Sequence, residues 1–199
     1  MELNRRDFFR FGFRGAARMA GEAVAGKLGL DQPGCIRPPF ALAEPAFLEA
    51  CTSCDACIEA CAYDIIFKLP NDIGGARAST PVLDLGVSGC HPCDHWPCVQ
   101  VCEPGALKLP EAGEDAPPSW PKLADAAINT QTCLPYAGPE CGACQHACPV
   151  PGALNWENGI KPVIDNQVCT GCGLCREACI TDPKSIDITA VPTPNPDRG

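Results

Sequence analysis

Large side chains of the kind that fill a protein interior are scarce in this chain. Aromatic residues make up 6% of its 199 positions, and there are only two methionines. Such a chain cannot bury a sizeable hydrocarbon core. No run of about 18 apolar residues occurs, so no membrane-spanning helix is expected. Only three histidines are present, His91, His95 and His146. They do not form the pair of a zinc protease, and there is no phosphate loop or nucleotide-binding glycine motif. These absences remove the common enzymatic sites.

Cysteine and proline are abundant instead, at 17 and 22 residues. An odd number of cysteines cannot all pair as disulfides, and regular spacing favours metal over a disulfide framework. The formal charge of −9 is uneven: residues 1–40 hold seven basic and four acidic side chains, and residues 41–199 hold eight and twenty. An acidic body repels nucleic acid and suits a basic docking surface on a protein partner.

The stretch Cys169-Thr-Gly-Cys172-Gly-Leu-Cys175-Arg-Glu-Ala-Cys179 carries the chemistry. Its cysteines have the spacing by which proteins hold a [4Fe–4S] cluster, with three thiolates from a tight loop and a fourth that ligates a neighbouring cluster. Three more runs precede it. Run I is Cys51, Cys54, Cys57, Cys61; run II is Cys90, Cys93, Cys98, Cys102; run III is Cys133, Cys141, Cys144, Cys148; the opening stretch is run IV. Each ends in three residues and a last cysteine, which predicts a short helix there. Zinc sites use cysteine or histidine pairs, not a triplet plus a fourth. Sixteen cysteines make four complete sets and leave no iron open to substrate, so the chain reads as an electron carrier or redox accessory subunit, not an enzyme. The histidines either tune neighbouring clusters or lie on loop surface; Trp96 reads as ordinary packing rather than a water shield for a cluster, and Tyr136 stays open between the two.

The segments between runs are short and β-prone. Strands are expected at Ile65–Phe67, Val82–Leu85, Ala106–Leu109, Ala127–Ile128, Leu154–Trp156, Ile160–Ile164 and Ser185–Thr189, with Asn158-Gly159 as a hairpin turn. The expected class is α+β, two bacterial two-cluster ferredoxin-like modules with short elements around the clusters. The boundaries are residues 1–45 for an N-terminal segment and linker, 46–109 for runs I and II, 110–124 for an acidic, proline-rich linker, 125–189 for runs III and IV, and 190–199 for a disordered tail. Nested pairing, I with IV and II with III, is the alternative. In either case Cys61, Cys102, Cys148 and Cys179 cross over to the partner cluster of their module. Cys35 stands outside the runs as a free thiol.

Asn4-Arg-Arg-Asp-Phe-Phe-Arg10 resembles a twin-arginine export signal. Charges at Arg10, Arg14, Arg18, Glu22 and Lys27 interrupt the apolar region that a signal needs. Phe9, Phe13, Ala17, Ala20, Val24 and Leu28 make an amphipathic helix that suits peripheral docking through residues 8–28. The reading favours the cytoplasm, with periplasmic location by twin-arginine export as the alternative.

The order and gaps of the runs, and Arg37-Pro38-Pro39 ahead of run I, resemble the NapG/MauM family of ferredoxin-like proteins over about residues 34–189. Ile36-Arg37-Pro38-Pro39-Phe40 and the sequence around run I also resemble NapF. The resemblance implies four [4Fe–4S] clusters on the sixteen cysteines. It also implies single-electron transfer from a quinol-oxidising membrane protein toward a reductase or dehydrogenase. A maturation factor that binds a metalloenzyme subunit, such as a molybdenum reductase, is the alternative. Ala62, Glu103 and Ile180 follow the last cysteines of runs I, II and IV where ferredoxins often have proline; run III keeps Pro149.

Overall fold

The structure is a computed structural model and describes residues 35–110 and 120–191. The twin-arginine-like stretch, the amphipathic helix expected over 8–28, most of the acidic linker and nearly all of the C-terminal tail lie outside the described residues. The class is α+β: six short helices and six short strands are described, the strands in three antiparallel pairs. Among the described residues no helix is long and apolar enough to cross a membrane.

Helix α1, Glu44–Ala50, opens the first half, with Pro45 in its first turn, where the missing N–H would be unpaired anyway. It carries Phe47, which is fully buried. Arg37 lies over the Phe47 ring at 4.4 Å and holds Glu44 through two nitrogens, at 2.9 and 2.6 Å. Its remaining nitrogen donates to Thr80 Oγ1 and the Pro81 carbonyl, both at 2.8 Å. Residues 35–43, assigned to a linker by their proline content, are therefore packed: Pro38 and Pro39 belong to the fully buried set.

After α2, Ala56–Glu59, strand β1, Ile66–Lys68, pairs with β2, Pro81–Leu83, in the register Ile66↔Leu83. Helix α3, Asn71–Gly74, and a 3-10 turn, Gly75–Arg77, connect them. Helix α4, Pro97–Gln100, follows in run II. The strand expected over Ala106–Leu109 is reduced to one antiparallel bridge, Ala41↔Leu107. Leu42 N–H donates to Ala106 O and Lys108 N–H to Phe40 O, each at 3.0 Å. Beyond Phe40 the partner segment runs into Pro39 and Pro38, which have no N–H to extend the ladder.

The second half repeats this plan. β3, Ala124–Ile128, pairs with β6, Ile186–Ala190, and encloses the hairpin of β4, Leu154–Glu157, and β5, Lys161–Ile164. Asn158 and Gly159 turn this hairpin with φ of 51° and 72°, the double left-handed turn that matches strand twist. Helices α5, Leu134–Ala137, and α6, Leu174–Ala178, complete the elements.

The helix expected at the end of each run forms in runs I, II and IV but not in run III. In those three, a left-handed residue two positions before the third cysteine starts the helix: Asp55 at 67°, Trp96 at 52° and Gly173 at 81°. In run III the corresponding Gly142 is not left-handed, and the chain closes tight turns instead, Gln145 N–H to Gly142 O and Ala147 N–H to Cys144 O. The helix of that region, α5, falls in the long first gap and ends at Gly138, φ 122°.

The two halves are unequally furnished. Around the first lies a cluster of Phe47, Ile65, Ile66, Leu83, Leu85, Val99 and Leu107 that also takes in Cys57, Cys90, Cys98 and Cys172. The buried cluster of the second is Cys144, Cys175 and Ile186.

Gly171, at φ +71°, is pressed on β3 so closely that a Cβ would stand 1.9 Å from the Ala124 carbonyl oxygen. Gly171→Ala is therefore expected to cost more than about 4 kcal/mol, at the extreme of single substitutions. Gly173→Ala, whose Cβ would meet Leu85 Cβ at 3.3 Å, should cost about 1–3 kcal/mol from backbone strain. Denaturant unfolding followed by circular dichroism reads both; equal losses would show that contact with Ala124 is not what fixes Gly171.

Candidate metal centres

In runs I, II and IV the first three cysteines sit on a loop whose course is set by left-handed residues and by the short helix that they start. In run I these are Ser53 and Asp55, in run II His95 and Trp96, in run IV Gly171 and Gly173. Such turns curl the backbone around a small volume and aim its N–H groups and thiols inward. The fourth cysteine leaves in the opposite direction, at the far end of the helix.

That arrangement brings thiols of adjacent runs together. One cavity is lined by Cys51, Cys54, Cys57 and Cys102. A second is lined by Cys90, Cys93, Cys98 and Cys61, and a third by Cys133, Cys141, Cys144 and Cys179. Cys169, Cys172, Cys175 and Cys148 make the fourth group, seen in the charges that bear on Cys175. Every group takes three members from one run and the last from its neighbour: I with II, and III with IV. Cys35 belongs to no group and has the Arg77 guanidinium 3.6 Å from its sulfur.

Burial and crowding make these thiols hard to ionise on their own. Burial, then Cys102, Cys51 and Cys54, pushes Cys57 up to about 11. Burial, then Cys61, Cys57 and Cys93, takes Cys98 to about 12. Cys90 is pushed up too, by burial and then by Cys98, Cys93, Cys172 and Cys61. In the second half burial is again the main cause, taking Cys144 to about 11 and Cys175 to about 12. Cys179 goes the other way. Burial raises it, but bonds from Thr181 and the Ser185 N–H, and the charge of Lys184, outweigh burial.

A donor set of this kind fits an iron–sulfur cluster. Four desolvated thiolates in one cavity are tolerable only around a compensating cation, and soft thiolate selects iron–sulfur or other soft metal. Donors already point at the sulfurs: Leu107 N–H to Cys102 at 3.3 Å, Gly171 N–H to Cys169 at 3.3 Å, Ser185 N–H to Cys179 at 3.5 Å. The Thr170 hydroxyl is buried without a hydrogen-bond partner among the described residues; it lies close enough to Cys172 to lower that thiol against the larger, raising effect of burial. Among the described residues no three His, Cys, Asp or Glu stand as ligands of a single ion.

The remaining candidates have ordinary surroundings, with one exception. Tyr136 donates to Pro162 O at 3.0 Å. His95 and His146 are exposed. Trp96 packs edge-on against Phe40 and Trp120 while lining the second cavity. His91 is the exception: it stacks on Tyr63 at 3.6 Å and stands 3.9 Å from the Glu177 carboxylate of run IV. Glu177, Thr170 and Lys184 were not singled out by sequence. Each acts through a fold contact, and only their nearness to cysteines marks them.

No family model and no solved structure matches the chain. It is similar to the methylamine utilization ferredoxin-type protein MauM of Methylophilus methylotrophus, at 33% identity over 93% of this chain and 86% of the relative. It is equally similar to the ferredoxin-type protein NapG of Escherichia coli K12, at 33% over 92% and 84%. NapF of the same organism, also a ferredoxin-type protein, is 34% identical over 72% of this chain and 79% of its own length. With cysteine loops of this design and relatives covered almost end to end, the chain belongs to the MauM/NapG family of ferredoxin-type, electron-transferring proteins.

Proposed function

We propose that the chain carries four [4Fe–4S] clusters in two ferredoxin-like modules, residues 46–109 and 125–189 joined by 110–124. It relays single electrons from a quinol-oxidising membrane donor to a redox enzyme. The observation that carries this reading is the exchange of last cysteines: Cys102 joins run I, Cys61 run II, Cys179 run III and Cys148 run IV, the crossed ligation of a two-cluster ferredoxin. Each half also has an outer strand contact around an inner hairpin: Ala41, from the segment ahead of the first module, bridges to Leu107 around β1–β2, and β3 pairs with β6 around β4–β5. Zinc fits less well, because a structural zinc ion needs its ligands drawn tightly onto one ion, and among the described residues no three His, Cys, Asp or Glu stand in that way.

The cluster supplies a site that gains or loses one electron without a bond being made. The chain's own residues do the rest. Sixteen thiolates hold, the loop N–H groups and Thr170 stabilise negative charge on sulfur, and Trp96, Ile65, Leu83 and Ile186 keep water from the seats. The acidic body, made more negative by about −2 for each ligated cluster, favours a basic docking face on either partner.

Anaerobic reconstitution should yield about sixteen iron atoms per chain and a dithionite-reducible electron paramagnetic resonance signal; an iron-loaded sample with no such signal would overturn the reading. Alkylation of the loaded protein under native conditions should modify Cys35 alone, located by peptide mass spectrometry, whereas modification at any of the sixteen would remove that residue from the ligand set. Chelation of iron should release the second module first, because its buried cluster is so small. In hydrogen exchange, β3–β6 should lose protection while β1–β2 retains it.

A further inference from the structure

The four seats are not arranged as two independent pairs. Within the first half, α2 and α4 pack side by side and carry Cys57 and Cys98, both buried in one hydrophobic cluster. Within the second, Cys144 and Cys175 share the small buried cluster with Ile186. Between the halves, the backbone of run II meets the backbone of run IV. Cys90 N–H donates to Cys172 O at 2.7 Å, and both residues are buried. The contact is tight because Gly89 lies against Leu174: a Cβ there would stand 2.7 Å from the Leu174 nitrogen. It is also clamped. Glu177 accepts from Gly89 N–H at 2.7 Å and from Ser88 Oγ at 3.2 Å, and Arg176 donates to Gly86 O at 3.2 Å.

We propose that the four clusters lie in single file, in the order run I, run II, run IV, run III, and that the Cys90–Cys172 contact is the bridge by which electrons cross between halves. The proposal rests on the four-cluster reading above and adds to it the order of travel. Each crossing oxidises one cluster and reduces its neighbour by one electron, with no bond formed and no proton moved. A one-electron protein donor serves one end and a one-electron acceptor the other. Exposure agrees with this order. Cys54 at the run I end is exposed, and so are Gly142 and Ala143 at the run III end. The bridge is enclosed, with Gly89, Cys90, Gly171 and Cys172 all buried.

The test uses the full-length reconstituted chain, unchanged and as Gly89→Val, with Glu177→Ala as a gentler second variant. Iron and sulfide content is measured first, then the spin–spin interaction in the resonance spectrum of the fully reduced protein. Without substitution, full iron loading and an interaction that links all four spins are expected. Gly89→Val should keep the iron and the interaction within each half while losing the interaction between halves; Glu177→Ala should weaken it. Should Gly89→Val lose iron, Glu177→Ala decides alone. Full iron with an interaction that neither variant alters, or four isolated signals in the unchanged chain, would overturn the single file while leaving the cluster reading intact. An unchanged chain without iron would overturn the cluster reading and the order with it.

Discussion

Desolvated sulfur is what this molecule is built to accommodate. A thiol such as Cys98 or Cys175, held up near 12 by burial and then by its neighbours' charge, gains nothing from standing beside three others. Four together in a cavity are a liability unless a metal centre neutralises them. The rest of the fold follows from keeping such groups close. Left-handed turns at Asp55, Trp96 and Gly173 curl the loops, and the short helices after them point the fourth cysteine away toward the next loop. Hydrocarbon is a secondary resource. The first half retains Phe47 and a modest apolar cluster, while the second has a smaller buried set, Ile186 with Cys144 and Cys175, against which Ile128, Leu154, Trp156, Ile164 and Ile188 pack only partly buried. Its stability must come through the metal, as it does in other small metal-held domains.

Much of this could be read from sequence because cysteine spacing encodes local geometry. Six of the seven expected strand segments form, and the runs, the Asn158-Gly159 hairpin and the β1–β2 and β4–β5 pairs depend on residues close along the chain. What could not be read depends on distant partners. The segment Arg37-Pro38-Pro39 has the composition of a linker, yet its prolines are buried because Arg37 is tied to Glu44 and Thr80. The Ala106–Leu109 strand has the right side chains but a partner without donors. Run III has the right cysteines but no left-handed residue to start a helix. Whether runs pair as neighbours or as nested sets is decided by packing between loops, which spacing does not record.

The junction between halves illustrates the same limit. Gly89 and Glu177 are 88 positions apart; Gly89 stands just outside run II, and Glu177 fills a position of run IV that the cysteine spacing leaves open. A glycine before Cys90 has the look of loop filler. It is the absence of a side chain there that allows the run II backbone to reach the Leu174 backbone, and Glu177 then accepts from the Gly89 N–H and the Ser88 hydroxyl. Small residues next to cysteines thus serve two purposes in this fold: Gly171 bends against Ala124 to form a seat, and Gly89 lets one seat approach another.

Charge is the remaining constraint, because the four proposed clusters with their thiolates would add roughly −8 to a body that is already acidic. The few lysines are placed accordingly. Lys68, from β1, reaches back to Ser53 O and Asp55 beside run I. Lys122, just before β3, donates to Cys169 O at 2.9 Å and to Asn166 O. Lys184, just before β6, donates to the Cys179 and Glu177 carbonyls. Each ammonium thus sits at the rim of a different seat, close enough to favour the more negative, reduced state of a cluster there. The run II seat has His91 in that position, stacked on Tyr63 and facing Glu177. The other three seats have an ammonium at the rim, and this one has an imidazole 3.9 Å from the Glu177 carboxylate, so the run II and run IV sides of the junction are electrostatically unequal.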